Sequence, residues 1–174
     1  PANIYKSKGH IKFLDIIDAV TKEFSNVKFL IAGKDNMKGK LNEEIKSKRL
    51  DKFVDILGFQ NNLDELMKKC KFMVLPSFSE GCPTSILEAF ANKIPVIAYS
   101  IDGIPELIKD GYDGFLISPL DKKQFTSKIL YLLKNPIATV AMGKRGESKV
   151  KKFFTIPKCA INHENLFEKI LNKQ

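Results

Sequence analysis

Long apolar runs are missing from this chain: no stretch of its 174 residues reaches the roughly 18 consecutive apolar positions that a membrane-crossing helix needs. The opening PANIYKSKGHIKFLD has no apolar segment followed by a small-residue cleavage site, so it does not read as a secretory signal. Cysteine is scarce, with Cys70, Cys82 and Cys159 far apart and outside any C-x-x-C spacing. Such a set implies neither a disulfide framework nor a zinc site, and a reducing, cytoplasmic setting is the expectation. Familiar phosphate and nucleophile motifs are also absent. GKDNMKGKL at 33–41 fails as a P-loop, because Lys34 stands five before Gly39 and Leu41 replaces the magnesium-binding hydroxyl. No G-x-G-x-x-G follows a strand, no G-x-S-x-G elbow occurs, and no His, Asp or Glu cluster has metal-ligand spacing, so no metal and no cofactor are expected. Acidic residues are outnumbered, 20 against 29 basic, giving +9 and a pI near 9.4. That balance favours an anionic partner: nucleic acid, an acidic membrane surface or a phosphorylated small molecule. The cations are scattered in ones and twos without aromatic interleaving, which reads as a solvated surface, and no nucleic-acid partner is expected.

What is present is a switching hydrophobic period. Helical patterns at 9–24, 39–50, 63–70 and 83–92 alternate with short apolar runs at 27–33, 53–59, 72–76, 94–100 and 114–119. From Lys122 onward the pattern is helical, with breaks near Pro136 and Pro157. Strands and helices in this alternation predict an α/β fold, a Rossmann-like doubly wound parallel sheet with helices on both faces, spanning 1–174 as one domain. Ligands of such sheets sit beyond the carboxyl ends of the strands, so the loops at 33–39, 58–62, 76–83 and 100–104 matter most. Almost no strand precedes the first helix. Residues 1–5 are expected to be the tail of one, in a piece of a longer protein.

The segment FMVLPSFSEGCPTSILEAFAN at 72–92 carries the chemistry. Glu80 lies in a loop and Glu88 in the helix that follows. Pro83 suits the first helical position, where its missing N–H costs nothing. Gly81 permits unusual dihedrals and close approach of a ligand. The N–H groups of Thr84 and Ser85 would be free to meet a phosphate, and the flanking carboxylates would accept from sugar hydroxyls. Lys8, in Lys8-Gly9-His10, would add a positive charge at a second helix start. His10 reads as a first-turn residue rather than a catalyst. Asp102-Gly103 would place a backbone amide near a ligand at a strand end.

PSFSEGCPTSILEAFANKIPVIAYSIDGIPELIKDGYDGFLISPLD, with KGH at 8–10, FLIAGK at 29–34 and VDILGFQNNLDELMKKC at 54–70, resembles the C-terminal domain of the group 1 (family four) retaining glycosyltransferases of GT-B fold. The resemblance covers nearly the whole chain. It implies that Glu80, first carboxylate of an E-x7-E motif, contacts the transferred sugar, and that Glu88 bonds the ribose hydroxyls. It further implies that amides along Cys82–Ile86 (Gly81, Cys82, Pro83, Thr84, Ser85 and Ile86 forming the donor loop) meet sugar and diphosphate. Lys8 would stabilise the diphosphate as the glycosidic bond breaks, and Gly58, Phe59 and Gln60 would pack the base. The implied reaction is retaining transfer of a sugar from a nucleotide diphosphate sugar to a glycan or lipid-linked acceptor, without an essential metal.

The sequence departs from that pattern twice. Asn3 stands where the family commonly has an arginine facing the diphosphate. The N-terminal domain, which binds acceptor, is not in this chain, whose last helix resembles the family's end. The expectation is therefore a donor-binding fragment that transfers little alone, within a cytoplasmic enzyme able to associate with the inner face of a membrane. A non-catalytic nucleotide-sugar-binding module and a sugar-nucleotide epimerase of GT-B shape stay open as alternatives.

Overall fold

The computed structural model describes residues 2–172. Eight α-helices and five strands follow one another as α1 (His10–Glu23), β1 (Phe29–Ala32), α2 (Lys40–Ser47), β2 (Val54–Gly58), α3 (Leu63–Lys68), β3 (Met73–Leu75), α4 (Thr84–Ala91), β4 (Val96–Tyr99), α5 (Ile104–Leu107), β5 (Gly114–Ile117), α6 (Lys122–Lys134), α7 (Pro136–Phe153) and α8 (Ile156–Leu171). All strand pairs are parallel, as the βαβ alternation requires. The expected α/β fold with helices on both faces is present, with one difference. The strands form two sheets, β1–β2 and β3–β4–β5, rather than one continuous layer. The segment expected to be a strand tail at 1–5 contributes a single parallel bridge, Ile4 with Asp35.

Strand β4 shows why both faces are covered. Ile97 and Tyr99 point into a core built with α1, α6 and Phe115, while Val96 and Ala98 point into a second core with α3, α4 and α5. Alternate residues of one strand face opposite sides, so a strand apolar at every position needs helices on each. On the first side Phe13 and Tyr99 meet the edge of Phe125 at 5.5 and 5.1 Å between ring centres. Each fully buried residue of this size stabilises the fold by about 1.5–3 kcal/mol. Local signals set the helix starts: Asn62 caps α3 through the Glu65 N–H, Asp121 caps α6 through the Gln124 N–H, and Pro136 opens α7.

Helix α7 crosses α4 with almost no space between them. A Cβ on Gly146 would lie 2.5 Å from the Phe90 ring of α4, and one on Gly143 would lie 1.9 Å from the carbonyl oxygen of Lys93 in the turn after α4. Asp113, fully buried, pairs with Lys149 of α7 and accepts the Lys109 N–H at 2.8 Å, tying the turn before β5 to the same helix. Among the described residues no helix is long and apolar enough to cross a membrane.

Candidate functional site

Chain segments at the carboxyl ends of the strands bring Lys8 and Glu80 together. Lys8 ends a short 3₁₀ turn, Lys6–Lys8, and Gly9 follows in the left-handed region at φ 72°. Gly9 lies so close to the chain after β3 that a Cβ there would stand 1.9 Å from the Pro76 carbonyl oxygen. That approach delivers Lys8 to the loop after β3, where its Nζ sits 2.7 Å from Glu80 Oε1. Glu80 is 8% exposed and Lys8 25%, so the pair is half-sheltered at the base of a cleft. His10, next in line, is held down to a pKa of about 4, chiefly by burial, with nearby positive charge including Lys8 adding to the effect. It lies in the first turn of α1, as expected, and does not line the cleft.

The backbone of Glu80 is fixed from the loop after β4. Its N–H donates to Asp102 Oδ2 at 2.9 Å, and its carbonyl accepts the Gly103 N–H at 3.4 Å. A Cβ on Gly103 would lie 2.0 Å from the Gly81 carbonyl oxygen, so the two loops touch backbone to backbone. Asp102 itself is left-handed at φ 44°, a conformation Asp tolerates better than most residues. The Gly103 amide expected near a ligand is thus spent on Glu80 instead. Gly81 has open space beside it and does not adopt a positive φ, so the expectation of unusual dihedrals there is not met.

Helix α4 begins one residue later than the sequence suggested. Pro83 has an extended ψ of 98° and acts as N-cap; Thr84 is the first helical residue. The Ile86 N–H bonds the Pro83 carbonyl at 3.0 Å, which removes it from the amides expected to meet a ligand. Among the described residues no acceptor takes the Thr84 and Ser85 N–H groups, which leaves an anion-attracting helix start. Thr84 and Glu88 lie one turn apart on one face of α4, and both line the cleft.

The cleft has a volume of about 450 Å3. Of the residues singled out from sequence, Asn3, Lys8, Phe59, Gln60, Glu80, Cys82, Pro83, Thr84, Ser85 and Glu88 line it together. Gly58, Gly81 and Ile86 do not; Ile86 is fully buried in the core beneath. Phe59 is 71% exposed, an aromatic face standing free at the cleft wall. Gln60 Nε2 is tethered to the Leu57 carbonyl at 2.7 Å. Asn3 Oδ1 accepts the Lys34 N–H at 3.0 Å, leaving its own amide hydrogens as the donors on that side. Among the described residues no group of three His, Cys, Asp or Glu side chains could hold a metal ion.

The profile of the family described as glycosyl transferases group 1 matches residues 1–149. This chain belongs to that family. Its relatives include the poly(ribitol-phosphate) alpha-N-acetylglucosaminyltransferase of Staphylococcus aureus, 29% identical over 161 residues, 91% of this chain and 31% of that protein. Another is the UDP-Gal:alpha-D-GlcNAc-diphosphoundecaprenol alpha-1,3-galactosyltransferase of Escherichia coli, 31% identical over 125 residues, 71% of this chain and 32% of that protein. The crystal structure of S. aureus TarM with fondaparinux, alpha-GlcNAc-glycerol and UDP superposes with a TM-score of 0.85 at 25% identity, covering 98% of this chain and 33% of that one. The C-terminal domain of a Francisella tularensis group 1 protein shares the fold, with a TM-score of 0.79 at 24% identity over 90% of this chain and 84% of that one. The chain therefore has the GT-B C-terminal fold and spans about a third of the length of these curated relatives.

Tyr5, Gly33 and Leu63 also line the cleft, and sequence reasoning did not find them. Gly33 opens a loop at a strand's carboxyl end, Tyr5 lies two positions from Asn3, and Leu63 is the first residue of α3. Proximity to the strand ends was the available signal. Asp102 was picked out for the wrong task.

Proposed function

We propose that this chain is the donor-binding part of a retaining glycosyltransferase, moving a sugar from a nucleotide diphosphate sugar to a glycan or lipid-linked acceptor. The observation that carries this reading is the Lys8–Glu80 pair set beside the free amides of α4 in the cleft that Glu88 also lines. A diphosphate at the Thr84 and Ser85 amides would meet both the helix start and the Lys8 ammonium. The glycosidic C–O bond breaks with charge building on the leaving phosphate, so donors already fixed there lower the barrier. Glu80, an acceptor-only carboxylate, orients sugar hydroxyls while Lys8 balances its charge. Glu88 takes the ribose hydroxyls, and the exposed Phe59 ring offers a face to the base. No step is assigned to a metal. Asn3, in place of an arginine, donates a hydrogen bond but no charge, so the diphosphate leans more on Lys8.

The UDP named with the S. aureus structure and the UDP-Gal in the E. coli relative's name make uridine donors the first to try. The diphosphoundecaprenol in that same name supports a lipid-linked acceptor, handled by a part of the polypeptide outside this chain. Calorimetric titration with UDP-, GDP- and ADP-sugars tests the reading. Saturable binding of one class, weakened by Glu88→Ala, is the expected result. Failure of every nucleotide sugar to bind the polypeptide joined to its acceptor half would overturn it.

A further inference from the structure

The segment from Ala2 to Lys8 runs along the cleft from one strand end to another. At its start the Ala2 and Ile4 N–H groups bond the carbonyls of Ala32 and Lys34 at 2.9 Å, in the chain leaving β1. At its end Lys8 meets Glu80 in the loop after β3. Between them the side chains alternate, as extended backbone requires: Ile4 is fully buried, whereas Asn3 and Tyr5 line the cleft. Lys8 returns to the same side. Its N–H bonds the Tyr5 carbonyl at 3.1 Å across the 3₁₀ turn, and such a turn sets residues three apart one above the other. Lys6 and Ser7 do not line the cleft. Asn3, Tyr5 and Lys8 thus form a row.

The row has a direction. Asn3 is bonded to the Lys34 N–H at 3.0 Å, and Gly33 beside it donates to the Gly58 carbonyl at 2.8 Å, next to Phe59. That end belongs to the aromatic wall of the cleft. Lys8 marks the other end, on Glu80. Tyr5 falls between the two, with 47% of its surface exposed. Exposed tyrosines are ordinary on a protein surface. This one is set apart by its place, in the cleft that Thr84 and Ser85 also line.

Donors for an anion are scarce in the middle of this cleft. Pro83, at the head of α4, has no N–H, and the Ile86 N–H is spent on the Pro83 carbonyl at 3.0 Å. Asn3 offers amide hydrogens but no charge. Lys8 is shared with Glu80. A diphosphate presents several anionic oxygens, more than Lys8 and the Thr84 and Ser85 amides can satisfy alone. A phenol suits the deficit. Its O–H donates to a phosphate oxygen in a charge-assisted bond, and it brings no cation to compete with Lys8 for Glu80.

We propose that Tyr5 is a donor-contacting residue whose hydroxyl hydrogen-bonds the diphosphate of the nucleotide sugar, on the phosphate that carries the sugar. The inference rests on the reading of the cleft as a nucleotide-sugar site. Its place one turn from Lys8 selects that phosphate, since Lys8 and Glu80 mark the sugar end. Negative charge gathers there as the glycosidic C–O bond breaks, so the bond tightens in the transition state and Tyr5 shares the leaving group with Lys8. The row then follows the donor along its length, with Asn3 towards the nucleoside, Tyr5 at the centre and Lys8 at the sugar.

Calorimetry of the complete enzyme with UDP, GDP and ADP, and with the matching monophosphates, tests this. Tyr5→Phe removes only the hydroxyl from an exposed ring. Its affinity for the diphosphate that binds the wild type should fall about tenfold or more, the cost of losing a hydrogen bond to a charged group. Affinity for the matching monophosphate, which lacks the second phosphate, should stay. Unchanged diphosphate affinity in Tyr5→Phe overturns the inference. So does an equal loss for the monophosphate, which would put the hydroxyl on the nucleoside end instead. Failure of the wild type to bind any of the three diphosphates overturns the nucleotide-sugar reading, and this inference with it.

Discussion

Asp102 holds Glu80 by its backbone, accepting the Glu80 N–H at 2.9 Å, while the Glu80 side chain turns away to Lys8. The carboxylate that faces the cleft is thus positioned by another carboxylate that does not line it.

Asp102→Ala should slow transfer by the complete enzyme about tenfold to a hundredfold, since a hydrogen bond to a charged group contributes about 1.5–3 kcal/mol. Donor KM should change little, because Glu88 and the α4 amides are untouched. Asp102→Asn keeps an acceptor oxygen and tolerates the left-handed backbone, and should retain most of the rate. Steady-state kinetics of the two variants check this; a wild-type rate for Asp102→Ala would sink it.

Lys8→Ala should reduce kcat by about a hundredfold or more, the cost typical of removing one donor from a developing anion. Glu80→Ala should also act mainly on kcat. Glu88→Ala should instead weaken donor affinity about tenfold with kcat largely kept. Parallel calorimetry and kinetics separate the two patterns, and an unchanged rate in both Lys8→Ala and Glu80→Ala would undo the assignment of roles.

His10 makes stability depend on acidity. Its folded pKa of about 4 lies below the unfolded value of 6.5, so the unfolded state binds more protons between those values. The contribution is fully present above pH 6.5 and is lost as pH falls towards 4, by roughly 2–3 kcal/mol. Urea unfolding at pH 7 and pH 4.5, with His10→Phe as control, reads it. A wild-type stability loss no larger than the control's would contradict the assignment.

Gly143→Ala should destabilise the fold by about 1–3 kcal/mol despite the better helix propensity of alanine, because the added carbon collides with the Lys93 carbonyl. Thermal unfolding gives the answer. A raised Tm would mean that α7 and the turn after α4 have room to part.

Much of this architecture was legible along the chain. Short apolar runs between amphipathic stretches gave five strands in the right order, and the E-x7-E segment with Lys8 pointed to the residues that meet in the cleft. The errors were local. Pro83 caps α4 rather than opening it, its ψ of 98° being extended rather than helical. Ile86 lost its free amide to a tight first turn. Gly81 was singled out for backbone freedom, whereas Gly103 carries the close approach.

Sequence by itself determined what each segment can be, since hydrophobic period, capping residues and turn glycines act over a few neighbouring positions. It could not decide which loops touch. The Lys8–Glu80 contact spans 72 positions and the Glu80–Asp102 bond spans 22. Both exist because parallel crossovers bring successive strand ends to one edge of the layer. The split of the strands into β1–β2 and β3–β4–β5 was signalled along the chain only by the near absence of a strand before the first helix. A strand's unpaired edge is a property of its neighbours, and neighbours are set only when the sheet forms.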